Sequence, residues 1–174
     1  MLDRLSHAIA ARASTPAIVL LLLISAAILW RFSAYELPGG FLDLRWHYDA
    51  EAARAAMSAY GEAGRARYLE FLALDAFFPW FYGAALALLL SRAAAVSFAA
   101  GSRWRRVNLL PLLTLLADSV ENACLYWMLT RYPDFADAIA TLAGHATTLK
   151  HLTLLAAVGL LCAAGFGWLR RRRG

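Results

Sequence analysis

The sequence predicts an all-α integral membrane four-helix bundle, with an amphipathic helix on the outer (periplasmic) surface between spans 1 and 2. Three observations carry this. The hydrophobic fraction is 61% and the mean hydropathy is +0.54, above the roughly 45–50% apolar content of soluble domains. The excess falls in long uninterrupted blocks, the pattern of a chain whose solvent is lipid. Arginine clusters flank those blocks on one side of the expected membrane. At 174 residues the chain fits a single membrane domain, 1–174.

The first block, PAIVLLLLISAAILW, gives a span over about 15–35. Pro16 suits a first helical position, where a missing N–H removes no bond. Trp30, Phe32 and Tyr35 then stand where an interfacial aromatic belt is expected. A secretory signal is rejected, because Arg31 interrupts the exit and no small-x-small cleavage site follows. Pro38-Gly39-Gly40 marks a turn. Asp49 is the expected N-cap of a surface helix over about 49–60, with Ala50, Ala53, Met57 and Tyr60 on one face and Gly61 and Gly64 ending it. Further spans follow at about 68–90, 107–130 and 146–169.

Arg4, Arg12, the 92–106 loop and Arg170 to Arg173 have few acids nearby, Asp3 excepted. The 36–67 and 131–145 segments mix arginine with many acids. The positive-inside rule then places both termini in the cytoplasm, as in a multi-pass protein of a bacterial inner membrane. The net charge of +5 is therefore topological, and nucleic acid is excluded as a partner. Cys124 and Cys162 lie inside apolar blocks without CxxC spacing and read as small apolar residues.

Ionisable residues inside spans are costly and are functional candidates by default. Asp75 lies in the second span, Asp118, Glu121 and Asn122 in the third, and Lys150 and His151 in the fourth. At about 1.5 Å per residue, Asp75 lies roughly 10 Å below the outer interface, and Glu121 lies roughly 22 Å from the inner edge of a core about 30 Å thick. All six fall in the outer leaflet, with Asp118 nearest the midplane. Positions 118, 121, 122 and 125 share a helix face. So do Phe71, Asp75, Phe78 and Tyr82, and so do Thr147, Lys150, His151 and Leu154. The expectation is three faces around one polar pocket.

Within it, Asp75, Glu121, Asp118 and Lys150 are the candidate catalytic groups. Asn122, His151, Tyr82, Tyr126, Phe78 and Arg65 are the candidate substrate-binding residues. Pro79 cannot donate to the carbonyl of Asp75, which leaves a kink with a free carbonyl or a simple packing bend. Lys150 is the single lysine among 17 basic residues. It serves either chemistry or a structural ion pair. Arg65 reads as a headgroup contact or an interfacial anchor. His145 and His151 lack metal-ligand spacing, so no metal is expected, and no cofactor motif is present.

The stretches Leu42-Asp43…Tyr48, Gly64-Arg65…Tyr68, Asp75…Phe78-Pro79…Tyr82, Asp118…Glu121-Asn122 and Thr148…Lys150 resemble an uncharacterised family of small four-transmembrane bacterial membrane proteins. The resemblance covers most of the chain and implies the fold without implying an activity.

Three functions fit the residues. The first is a membrane enzyme doing acid–base chemistry on a lipid-like or isoprenoid-like substrate. The second is a small oligomeric transporter or channel for a proton, cation or amine. The third is a non-catalytic subunit or assembly factor of a larger membrane complex, with the charges fixing helix register. Membrane lipids are the expected partners throughout, joined by the substrate, a second copy or the larger complex according to the reading.

Overall fold

The computed structural model describes residues 1–173, with side chains to Arg170; the side chains of Arg171 to Arg173 lie outside the described residues. The described chain is all-helical, without strands. Its helices are α1 (Leu2–Ala10), α2 (Thr15–Phe32), α3 (Ala50–Asp75), α4 (Phe78–Ser97), α5 (Leu110–Arg131) and α6 (Asp137–Arg173), with 3₁₀ turns over Leu42–Leu44 and Arg103–Leu109. Among the described residues, four helical stretches are long and apolar enough to cross a membrane: Thr15–Phe32, Ala50–Ser97, Arg103–Arg131 and Asp137–Arg170.

Local chemistry sets the boundaries. Ser14 caps α2 by accepting from the Ala17 N–H, and proline occupies the first turn of α2, α4 and α5, where no intrahelical N–H partner is needed. Asp49 caps α3, its carboxylate accepting from the Ala52 N–H at 2.8 Å. Gly61 adopts φ 64° and ψ −175°, a non-helical conformation few other residues tolerate, so α3 is two helical arms that meet at this break, the first ending at Tyr60. Gly64 lies within the second arm of α3 and does not stop it. The stretch read as one span over 68–90 is two helices: α3 ends at Asp75 and α4 starts at Phe78. The cause is Pro79, whose ring would clash with the Asp75 carbonyl in a continuous helix.

Helices α5 and α6 form the closest pair, and α4 packs on both. The buried face of α6 runs through Ala140, Ala143, Thr147, Lys150, Thr153 and Ala157, a stripe at helical spacing turned to its neighbours. Helix α2 packs chiefly on α4. The apolar core lies at one end, where Phe41 and Leu42 of the loop meet Met57, Tyr68 and Phe71 of α3 and Leu125 and Met128 of α5. At the other end α1 rests on the Arg103–Leu109 turn and α4. There Asn108 takes Ser6 and Ser91 as hydrogen-bond partners, and Arg106 grips Asp3 through both carboxylate oxygens at 2.5 and 2.7 Å. The hydrogen bonds from Arg106 hold the Asp3 carboxyl below its usual range.

Candidate functional site

The site forms where α3 breaks. Asp75 is the last residue of α3, so its side chain leaves the helix end toward α5 and α6. It is only 5% exposed. One oxygen accepts from the Asn122 side-chain amide at 2.7 Å. Because a carboxylate only accepts, this contact fixes which end of the Asn122 amide points at Asp75. The Asn122 carbonyl is then left buried without a partner.

On α5, Asp118 and Glu121 are 4% and 0% exposed. Lys150 of α6 reaches both, lying 2.6 Å from Glu121 Oε2 and 3.4 Å from Asp118 Oδ1. The shorter contact is ionic, with poor alignment for a hydrogen bond. Thr147 donates its hydroxyl to the other Glu121 oxygen. Tyr82 of α4 donates to Asp118 Oδ2 at 2.8 Å. Glu121 is thus locked between Lys150 and Thr147, and Asp118 between Lys150 and Tyr82. Such charge-assisted contacts are needed to hold carboxylates away from water.

A cavity of about 230 Å³ opens beside these groups. Asp75, Asp118, Lys150, His151 and Tyr82 supply its polar lining together with Asp43. Phe32 and Leu29 of α2, Phe71 of α3, Phe78 of α4 and Leu154 of α6 supply apolar walls, with Leu44 of the loop. The lining combines one polar floor with hydrocarbon and aromatic sides, the usual composition of a small-molecule site.

The remaining candidates lie elsewhere. Glu121 is behind Lys150 and does not line the cavity. Asn122 supports Asp75 from behind, facing a separate groove that Tyr126 also lines. Tyr126 is 59% exposed on that outer face. Arg65 donates to the Met57 carbonyl at 3.0 Å and stacks over the Tyr132 ring, so it anchors α3 and reaches no cavity group. His151 holds Nδ1 2.9 Å from the Thr147 carbonyl and stands 5.3 Å from the Trp46 ring. Among the described residues no group of three or more His, Cys, Asp or Glu side chains is placed to hold a metal ion.

Sequence reasoning left Asp43 outside the candidate set. It is 3% exposed and lines the cavity. The Tyr68 hydroxyl donates to Asp43 Oδ1 at 2.5 Å and accepts from the Asp43 N–H at 3.3 Å. No sequence signal marks it, because its partner Tyr68 lies 25 residues away and no helical periodicity links the two. The loop around it is pinned to α6. Thr148 donates to the Trp46 carbonyl at 3.0 Å, and His47 Nδ1 lies 3.1 Å from the Gly144 carbonyl. Gly144 passes so close to the loop that a Cβ there would stand 1.9 Å from the Tyr48 carbonyl oxygen. Burial, then the Glu121 charge, pushes the Tyr48 phenol well above its usual range, so it remains a neutral hydroxyl.

No protein-family model, no curated protein and no solved structure matches this chain.

Proposed function

We propose that the chain is a multi-pass membrane protein with both termini on the cytoplasmic side, and that its cavity does acid–base chemistry on a lipid-like or isoprenoid-like substrate. Four apolar helical stretches support the membrane placement, as do the exposed leucines of α2 and α6, which suit contact with lipid. The orientation draws support from the end that carries α1 and the Arg103–Leu109 turn. Arg4, Arg12, Arg92, Arg103, Arg105 and Arg106 belong to that end, whereas the cavity lies toward the acid-rich one.

The observation that carries the enzymatic reading is the pairing of Asp75 and Tyr82–Asp118 across one apolar-walled cavity. Asp75 has one neutral hydrogen-bond partner and an accessible second oxygen, so it is the group to accept a proton from substrate. Asp75 then returns the proton at another atom of the substrate, while Tyr82 donates its hydroxyl to Asp118 and holds that carboxylate in place. The sum is a proton shift along the substrate, balanced in atoms and electrons. Lys150 and Glu121 position Asp118, and Phe71 and Phe78 shape the space. A transport reading has less support: inward of Asp118 the polar face ends at a Thr114–Thr153 hydrogen bond of 2.8 Å, with both residues buried.

The test draws its substrate from a mixture. Reconstituted protein is incubated with a membrane lipid extract in D2O, and non-exchangeable deuterium is followed by mass spectrometry. Wild type is expected to label a lipid-like species, and Asp75→Asn is expected not to. If no species is labelled by wild type, while a pH gradient drives cation or proton flux in the same vesicles, the enzymatic reading fails and transport replaces it.

A further inference from the structure

We propose that the cavity takes a cationic amphiphile, an amine or ammonium head joined to an apolar tail. This deepens the membrane-site reading above and rests on it.

Charge balance is the first argument. Asp43, Asp75 and Asp118 line the cavity, and Glu121 stands directly behind Lys150. Lys150 is the single ammonium facing these acids, and Glu121 and Asp118 already share it. His151, the other basic group on the lining, turns Nδ1 to the Thr147 carbonyl. Each other acid has a dedicated donor: Tyr68 for Asp43, Tyr82 and Lys150 for Asp118, Thr147 and Lys150 for Glu121. Asp75 has the neutral Asn122 amide on one oxygen and no described partner on the other. It is 5% exposed, and what exposure it has is to the cavity. A buried carboxylate without a counter-charge is strongly disfavoured, so a positive head beside Asp75 supplies what the protein omits.

The walls give the second argument, independent of the acids. Phe32 and Phe71 stand 4.5 Å apart, Phe32 and Phe78 5.2 Å, and Phe78 and Tyr82 4.9 Å, centroid to centroid. This run of rings borders the carboxylates, and ring faces attract cations most strongly where water is excluded. The same Phe32 and Phe71, with Leu29 and Leu44, also line a neighbouring cavity of about 510 Å³. A head at Asp75 therefore has an apolar continuation for a tail. Leu29 of α2 and Leu154 of α6 both border the cavity, and α2 packs chiefly on α4.

The experiment compares dodecylamine, dodecanol and dodecyl sulfate, added to the full chain in phosphatidylcholine nanodiscs, by thermal unfolding across a concentration series. The amine is expected to stabilise wild type with an apparent affinity on the order of tenfold or more above the alcohol, as one desolvated charge pair implies. The sulfate is expected to be weaker still. Asp75→Asn is expected to bring the amine down to the alcohol. Equal affinity for amine and alcohol, or an amine preference that survives Asp75→Asn, overturns the proposal. The wild-type ranking of heads decides even if the variant does not fold. Amine binding without deuterium labelling of any lipid leaves this inference standing and removes the enzyme. Labelling of a neutral lipid without amine preference does the reverse.

Discussion

Two buried polar clusters sit at opposite ends of this bundle, and they are built on different rules. The cluster of Ser6, Ser91 and Asn108 is neutral and closed in its hydrogen bonds, beside a small cavity of about 70 Å³. Asn108 donates to the Ser6 carbonyl at 3.0 Å and to Ser91 Oγ at 2.8 Å, and accepts from Ser6 Oγ at 2.8 Å. Ser91 passes its own proton to the Ala87 carbonyl at 2.8 Å. Every side-chain group has its partner, as expected of polar atoms that only join helices. The cluster around Lys150 is charged and open. It holds more carboxylates than cations, leaves the Asn122 carbonyl unpaired, and borders a cavity. Burial alone does not separate the two, since Asn108 is 1% exposed and Glu121 0%. Completeness of pairing does, and incomplete pairing next to a cavity is what a ligand requires.

Breaking the charged cluster should produce the largest effect. Lys150→Met removes the cation that Glu121 and Asp118 share and leaves two carboxylates in a water-poor site. Removing one partner of a buried pair destabilises by about 3–5 kcal/mol. A second change, Glu121→Gln, should recover part of the loss, because it removes the stranded charge. Thermal unfolding in detergent measures both. If Lys150→Met unfolds at the wild-type temperature, the ion pair contributes no stability and the contrast between the clusters collapses.

The neutral cluster should give a smaller loss. Asn108→Ala takes the acceptor from the Ser6 hydroxyl and the donors from the Ser6 carbonyl and Ser91 Oγ, and should destabilise by about 1–3 kcal/mol. Ligand binding at the distant cavity should remain at the wild-type level. Loss of binding in folded Asn108→Ala would mean that the two ends are coupled and that the closed cluster is more than a joint. Gly144→Ala tests the loop that roofs the charged end. A Cβ there meets the Tyr48 carbonyl oxygen at 1.9 Å, so the loop must retreat. The expected cost is about 1–2 kcal/mol, toward the low end of what overpacking imposes. Proteolysis within residues 37–49 should quicken, and unchanged cleavage would show that the loop does not depend on this approach.

Hydropathy made the four apolar helical stretches legible, because each is long and each carries few charges. The polar faces of α5 and α6 were legible for the same reason: Asp118, Glu121 and Lys150 are conspicuous in apolar surroundings. Other features carried no such contrast. The break between Asp75 and Phe78 reads as a kink from Pro79 alone, since proline constrains a helix without stating how far it opens. Ser6, Ser91 and Asn108 are short and uncharged, and nothing in their spacing shows that residues 102 apart meet. Asp43 sits in a loop, where acids are ordinary. Its burial depends on Tyr68 arriving from α3, a tertiary event that no local pattern encodes. Arg65 and Tyr126 lie away from the cavity, and their positions beside apolar blocks give no information on which helix face they occupy.

The smallest expected change in stability is the most informative about function. Asp75→Asn keeps the size of the side chain and leaves Asn122 a carbonyl or amide to pair with, because the two amides can reorient. With one contact retained and one buried charge removed, the fold should shift by no more than about 1 kcal/mol in either direction. A structural carboxylate in the manner of Glu121, held by a cation, could not be neutralised so cheaply. The comparison is therefore internal to one cluster: Glu121→Gln alone takes from Lys150 the nearer of its two carboxylates and should destabilise, whereas Asp75→Asn removes no partner of a buried cation. If both variants lose stability equally, Asp75 belongs to the ion-pair network and the open cluster is structural after all. If Asp75→Asn keeps the unfolding temperature and loses amine binding, the carboxylate is held in place for a ligand and not for the fold.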